Sequence, residues 1–254
     1  MRRAIVAALL ACAAVAAGCG ADDPKPPPPA SSPIQTIRVG DGDRGAVVFR
    51  PADFGRPLPA VLFIHGLFAT NPMSYGGWIR HLVEEGNVVI YPIYQRTFTP
   101  PAAYLANVIT GLRAALASVA IRREDLVAVG HSAGGALAAD YAAVARSLGL
   151  PAPRLVYSVY PGRGLEGLPF RIPEANPDGV PRDTRIVALA GADDRIVGTD
   201  VARDIVRDAK TVPRSRRTYR LVTDRRVDHH LAPLRSDAVA RRVFWAPLDR
   251  LLRR

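Results

Sequence analysis

The chain has 254 residues, 48% of them hydrophobic and 22% charged, which is enough apolar material for one sizeable core and too much for a disordered chain. Its formal charge of +11 rests on arginines scattered along the chain, such as Arg195, Arg203 and Arg207. No basic helix is interleaved with aromatics, so a nucleic-acid partner is not expected, and a solvated arginine-rich surface is the simpler reading. The two cysteines, Cys12 and Cys19, stand near the start, which leaves the rest of the chain without disulfide, thiolate nucleophile or cysteine metal site.

Met1-Arg2-Arg3 followed by the apolar run from Ala4 to Gly18 has the basic start and short hydrophobic core of a secretory signal, and is too short to span a bilayer. Residues 1–18 are therefore expected to direct export. The run closes on Val15-Ala16-Ala17-Gly18-Cys19, which resembles a bacterial lipobox and implies lipidation of Cys19, the alternative being an ordinary signal with an incidental cysteine. Residues 19–33 hold Pro24, Pro26, Pro27, Pro28, Pro29 and Pro33 and read as an extended tether rising roughly 3 Å per residue. The expectation is an exported, outward-facing lipoprotein held to the cell membrane by its N-terminal lipid.

From Ile34 to Arg254 short β-branched runs alternate with Ala-rich helical stretches, the pattern of one α/β domain with a mostly parallel sheet and helices on both faces. Strands are predicted over 34–39, 45–50, 60–64, 87–91, 125–129, 154–159, 185–190 and 217–222. Helices are predicted over 74–85, 101–119, 132–147, 199–209 and 235–252. Ala60 to Ile64 and Leu126 to Val129 are continuous apolar runs, as expected of central strands covered on both faces.

Strand 60–64 runs into His65-Gly66-Leu67-Phe68. A His-Gly turn at the carboxyl end of a central strand can bring one backbone N–H to a developing oxyanion, and Leu67 is the candidate donor, with Phe68 the alternative if the turn is one residue longer. His65 precedes the candidate serine and reads as a locally bonded loop histidine.

The strongest signal follows strand 125–129. Gly130-His131-Ser132-Ala133-Gly134 is G-x-S-x-G in a strand–turn–helix context, where a strained turn lifts the serine hydroxyl and the glycines keep Cβ atoms out of the way. Ser132 is the candidate nucleophile and the N–H of Ala133 the second oxyanion donor. His131 reads as a buttress of the turn, and a helix-start turn capped by Ser132 is the bland alternative.

An acid and a base are expected downstream of such a serine. Strand 185–190 ends in Gly191-Ala192-Asp193-Asp194-Arg195-Ile196-Val197, and a carboxylate leaving a late strand can reach back to orient an imidazole. Asp194, three residues after the glycine, is the choice; Asp193 is the alternate. The only histidines beyond Ser132 are His229 and His230, one of which must be the base if a triad exists. Sequence neighbours rarely point at one ion and no third ligand group is evident, so no metal is expected.

These residues resemble the α/β-hydrolase superfamily over essentially all of 34–254, most nearly exported bacterial esterases of the chlorophyllase and polyester-hydrolase kind. The resemblance is carried by HGLFAT at 65–70, VIYPIYQ at 89–95, GHSAGG at 130–135, GADDRIV at 191–197 and HLAP at 230–233. It implies that the histidine before x-Ala-Pro is the base, which is His230, with His229 left open by the doubling. It also implies an α/β-hydrolase fold and a cofactor-free serine carboxylic-ester hydrolase with a Ser-Asp-His triad, acting through an acyl-enzyme on lipophilic small-molecule or lipid esters. Residues 160–184, rich in Pro and Gly, leave no room for a large lid domain. Phe68, Tyr75, Trp78 and Tyr160 are candidate pocket walls. The alternatives are an acyltransferase or peptidase with the same triad, and a catalytically silent binding lipoprotein on the same scaffold.

Overall fold

The eight predicted strands pair into one sheet in the computed structural model, which describes residues 33–52, 55–164 and 170–253. The signal, Cys19 and all of the tether before Pro33 lie outside the described residues. In chain order the strands are β1 (Ile34–Val39), β2 (Ala46–Pro51), β3 (Leu58–Ile64), β4 (Val88–Pro92), β5 (Ile121–His131), β6 (Leu155–Val159), β7 (Arg185–Gly191) and β8 (Arg217–Val222). Their order across the sheet is β1-β2-β4-β3-β5-β6-β7-β8. β2 pairs antiparallel with both β1 and β4, and every pairing from β4 to β8 is parallel.

Alternation along the central strands splits the core in two. Leu62 and Ile64 of β3 join Leu126 and Ala128 of β5 on one face, covered by α2 (Tyr104–Ser118), α3 (Ala133–Val144) and α4 (Asp200–Asp208). Val61 and Phe63 join Val127 and Val129 on the other face, covered by α1 (Gly76–Glu84) and α5 (Ala246–Leu252). Strands buried on both faces have no polar phase, which is why these segments read as continuous apolar runs. Each such fully buried side chain contributes about 2 kcal/mol of transfer free energy.

The two largest departures from the sequence reading have physical causes. β5 begins four residues early, because Arg122, Arg123 and Glu124 are exposed on its projecting end and mask the strand pattern. The segment predicted as one helix over 235–252 is instead a turn of helix at Ala238–Ala240, a π-helix at Arg241–Trp245, and then α5. Pro247 explains the break: it has no N–H for the carbonyl of Val243, and its ring would collide there in a continuous α-helix, so the wider turn absorbs it. Between β6 and β7 the described residues hold loop, a single bridge between Gly164 and Arg171 and a 3-10 turn at Pro177–Gly179, with no lid helix among them.

Parallel pairing brings the ends of β3, β5, β7 and β8 to one edge of the sheet. Ile64 stands beside Gly130, and Gly191 beside Val222. All the candidate residues leave the sheet at that edge, in the crevice where open α/β sheets bind their ligands.

Candidate active site

Ser132 sits at the junction of β5 and α3 with φ 56° and ψ −125°, a backbone conformation that costs a non-glycine residue on the order of 1–3 kcal/mol. The glycines on either side show what holds it there. A Cβ on Gly130 would stand 2.0 Å from the carbonyl oxygen of Gly134, and one on Gly134 would stand 2.0 Å from that of Ile64. The turn is therefore pressed against the end of β3 at a distance only glycine allows. From the other side, the Ser132 N–H donates to Val159 O at 3.0 Å and the Gly162 N–H donates to Ser132 O at 3.1 Å.

The side chains of Ser132, His230 and Asp194 meet in one line. Ser132 Oγ lies 3.0 Å from His230 Nε2, and His230 Nδ1 lies 2.7 Å from Asp194 Oδ2. All three are buried. Since a carboxylate only accepts, Nδ1 carries the proton, and the lone pair of Nε2 faces the serine hydroxyl. The other oxygen of Asp194 accepts the N–H groups of Ile196 and Val197 at 3.0 and 3.2 Å, which fixes the carboxylate plane. Gly191 brings the acid and base loops together: a Cβ there would lie 2.2 Å from Asp228 O, and the Asp193 N–H donates to that oxygen.

The alternates point elsewhere. Asp193 is exposed and paired with Arg195 at 2.9 Å. His229 is half-buried, and its backbone carbonyl accepts the N–H of Ala232. Successive residues of a loop face different directions, so one position of offset removes each from the line.

Leu67 and Ala133 occupy the loop after β3 and the first turn of α3. Among the described residues neither N–H has a hydrogen-bond acceptor. Leu67 lies in a turn closed by the Ala69 N–H on Gly66 O, with Phe68 at φ 65° and 61% exposed. At Gly66 the space is tight, since a Cβ would come within 3.2 Å of Ser132 Cβ and 3.3 Å of Tyr75 Oη, and these neighbours would have to give by a few tenths of an ångström.

A hydrogen-bonded relay that sequence reasoning missed joins these loops. The Gly66 N–H donates to Tyr75 Oη at 3.0 Å, the Tyr75 hydroxyl donates to His131 Nδ1 at 2.8 Å, and His131 Nε2–H donates to the His230 carbonyl at 2.9 Å. The oxyanion loop is thereby tied to the backbone of the candidate base. Burial, helped by the neighbouring His230, pushes the His131 pKa well below the usual histidine range, so the ring stays neutral as this relay requires. His65 is held similarly: Nδ1–H donates to Gly66 O at 2.7 Å, and the ring stacks on Tyr91 and Tyr94. Its burial lowers the pKa to about 4.

Three expected pocket walls are not walls. Tyr75, Trp78 and Tyr160 are core residues. Tyr75 packs on Phe63, Trp78 on Trp245, and Tyr160 on Phe244 while its hydroxyl donates to Val227 O at 2.6 Å. Aromatic side chains bury a large apolar area each and so contribute strongly to a core. Of the four, Phe68 alone is exposed, and Leu231, next to His230, is partly so.

The α/β-hydrolase fold model matches residues 61–193, more than half of the chain. The chain belongs to the α/β-hydrolase fold family. No curated protein sequence matches it. Among solved structures, one of two esterases from Rhizomucor miehei superposes with a TM-score of 0.66 at 15% identity, over 87% of this chain and 83% of that one. A protein of Klebsiella pneumoniae assigned as a dienelactone hydrolase gives 0.64 at 16% identity, over 87% and 99%. Esterase 2 of Thermogutta terrifontis gives 0.61 at 18% identity, over 89% and 93%. At these identities the likeness is one of fold, in agreement with the family match.

Proposed function

We propose that this α/β hydrolase is a serine carboxylic-ester hydrolase that works through an acyl-enzyme. His230 Nε2 takes the proton of Ser132 Oγ as the oxygen attacks the ester carbonyl, while Asp194 keeps the imidazole in the required tautomer and stabilises it once charged. The N–H groups of Leu67 and Ala133 receive the oxyanion, each contributing about 3 kcal/mol to the transition state. His230 returns the proton to the departing alcohol. Water, deprotonated by the same imidazole, then cleaves the acyl-enzyme.

The observation that carries this reading is the unbroken line of 3.0 and 2.7 Å from Ser132 through His230 to Asp194, beside two N–H groups with no acceptor among the described residues. A catalytically silent scaffold has no need to hold Ser132 in a strained conformation against a hydrogen-bonded imidazole. The exposed Phe68 and the partly exposed Leu231 favour esters with an apolar portion, in keeping with the chlorophyllase and polyester-hydrolase resemblance. The same proposal takes residues 1–18 as the export signal, Cys19 as the lipidated residue at the head of a tether to residue 33, and 34–254 as the catalytic domain, facing outward on the cell membrane.

The test is hydrolysis of 4-nitrophenyl esters from acetate to palmitate by the full chain in mild detergent, beside Ser132→Ala. Turnover by the wild type and its loss in the variant are expected, with a mass increase equal to the acyl group on Ser132 when the reaction is quenched early. Equal rates for the two proteins would overturn the reading. Labelled palmitate retained by the wild type and not by Cys19→Ala tests the anchor separately.

A further inference from the structure

The loop that leaves β6 touches both Ser132 and the loop of Asp194. Tyr160, at φ 49°, turns the chain out of the strand, its N–H donating to Leu189 O at 2.9 Å. Two residues on, the Gly162 N–H donates to Ser132 O at 3.1 Å. Arg163 then returns to the nucleophile's own helix: its guanidinium is 5% exposed and donates twice to Asp140 of α3, each at 2.8 Å, and once to Pro173 O at 3.2 Å. These contacts close a circuit, from Ser132 along α3 to Asp140, across to Arg163, and back through Gly162 to Ser132. A bidentate buried ion pair in such a circuit leaves Gly162 little freedom to move.

On its other side Gly162 meets the acid loop. A Cβ there would stand 2.2 Å from Val197 Cγ1 and 2.8 Å from Val197 Cβ, whereas ordinary contact begins at 3.4 Å. The backbone at this position does not call for glycine, since its φ lies outside the left-handed region. Glycine is required because Val197 occupies the space. Rotation about χ1 of Val197 would withdraw the methyl group but not Cβ, which moves only with the backbone. That backbone is bound to the candidate acid: the Val197 N–H donates to Asp194 Oδ1 at 3.2 Å, and the Gly198 N–H to Asp194 O at 3.1 Å. A displacement of Val197 therefore reaches the carboxylate that holds His230 Nδ1 at 2.7 Å.

We infer that the contact of Val197 with Gly162 sets the separation between nucleophile and acid, and that Gly162, Arg163 and Val197 are positioning residues of this site. Ser132 follows β5 and Asp194 follows β7, with β6 between them in the sheet, so the loop after β6 is placed to gauge that gap. Hydrogen bonds weaken steeply when bent, and those of the triad do not by themselves hold two loops at a fixed distance. A close-packed contact resists compression, and the Arg163–Asp140 pair supplies the unyielding side of it. The inference rests on the proposed esterase reading for its effect on rate, and names residues that act through Ser132 and Asp194.

The experiment is a size exchange in the full chain in mild detergent, assayed with 4-nitrophenyl butyrate at a temperature where each variant is folded by circular dichroism. Gly162→Ala is expected to lower kcat about tenfold or more, with KM changed less than about twofold. Gly162→Ala/Val197→Ala should regain about fivefold or more of that loss, because the exchange returns the space the added methyl takes. The downfield proton resonance of His230 Nδ1–H, identified by its loss in His230→Gln, should shift in Gly162→Ala and return in the exchange variant. A role in stability alone would move Tm and leave both that resonance and kcat in place. Unaltered kcat in a folded Gly162→Ala, or no recovery in the exchange variant, overturns the inference. If Gly162→Ala does not fold, Val197→Ala carries the test: kcat is expected to fall about threefold or more, and an unchanged value overturns the inference. If the wild type hydrolyses no ester, the esterase reading fails separately and the resonance decides. Moved by Gly162→Ala and restored by the exchange, it supports the spacing contact; unmoved, it refutes it.

Discussion

Tyr75→Phe removes one oxygen atom from the middle of the relay that joins the oxyanion loop to His230, and leaves the ring packed against Phe63 at 5.0 Å. Two buried groups lose their partner at once: the Gly66 N–H, at 3.0 Å, and His131 Nδ1, at 2.8 Å. Leaving a buried polar group unpaired costs about 1–3 kcal/mol, so the pair sets an expected loss of roughly 2–5 kcal/mol. No cavity term of consequence is added, because the volume removed is that of a hydroxyl. The same change frees Gly66 beside Ser132 and slackens the hold of His131 on the His230 carbonyl, and small misplacements near reacting groups cost up to about 10²-fold. Urea unfolding followed by circular dichroism reads the first quantity, and ester kinetics the second, where kcat should fall with KM nearly unchanged. A double-mutant cycle with His131→Ala should return a coupling of about 1–2 kcal/mol, since each single variant breaks the same bond. A stability loss below about 0.5 kcal/mol, or strict additivity in the cycle, would refute the claim that this hydroxyl holds the two loops.

Asp194→Asn keeps the shape of the acid but removes the charge that holds Nδ1–H, and kcat should fall about 10⁴-fold, while Asp193→Asn, at an exposed pair with Arg195, should change it less than about twofold; steady-state kinetics on one ester separates the two. Arg163 and Asp140 form a buried two-fold pair, each contact 2.8 Å, that pins the loop after β6 to α3; Arg163→Met should destabilise by about 3–5 kcal/mol and a second change, Asp140→Leu, should restore much of it, as read by urea midpoints. His65 titrates at about 4 in the folded chain, against 6.5 unfolded, so below pH 6.5 the unfolded chain takes the proton first. Its contribution is therefore fully present above pH 6.5, falls as the pH drops, and reaches a loss of about 3 kcal/mol near pH 4. His131 acts in the same direction. His81, whose pKa is raised by its hydrogen bond to Asp249, acts in the opposite one: its stabilisation is complete below pH 6.5 and lost above. The slope of unfolding free energy against pH between 4 and 6.5 should shrink by about one proton in His65→Phe.

The strands were legible because burial on both faces of a parallel sheet writes itself as uninterrupted Val, Ile, Leu and Ala, and because glycine and proline punctuate the edges. The turn at Ser132 was legible for a harder reason: Gly130 and Gly134 have carbonyl oxygens where their Cβ atoms would be, so the motif records a steric requirement. Spacing from Gly191 favoured Asp194 over Asp193, and the resemblance favoured His230 over His229, yet both alternates stayed open because adjacent loop residues differ only in side-chain direction. Aromatic content misled at Tyr75, Trp78 and Tyr160, because these residues, near functional loops in sequence, face the core beneath them, and composition holds no sign of that direction.

Those buried tyrosines share a position in the design. Tyr75, Tyr91, Tyr94 and Tyr160 have their rings in the core, and each hydroxyl reaches the backbone of a loop at the catalytic edge: the Gly66 N–H, Ala69 O, His65 O and Val227 O. Burial raises the pKa of Tyr91, Tyr94 and Tyr160 above the usual range, so they remain neutral and keep their protons. Phenylalanine would supply the same packing, and a loop carbonyl could equally take a water. A ring anchored in the core and ending in a hydroxyl does both: it contributes apolar burial and roughly 1 kcal/mol of hydrogen bonding to a chosen backbone atom. In a domain with no cysteine beyond Cys19, loops that must hold N–H groups and an imidazole in place cannot be stapled covalently, and tethers of this kind are the means the sequence has for fixing them.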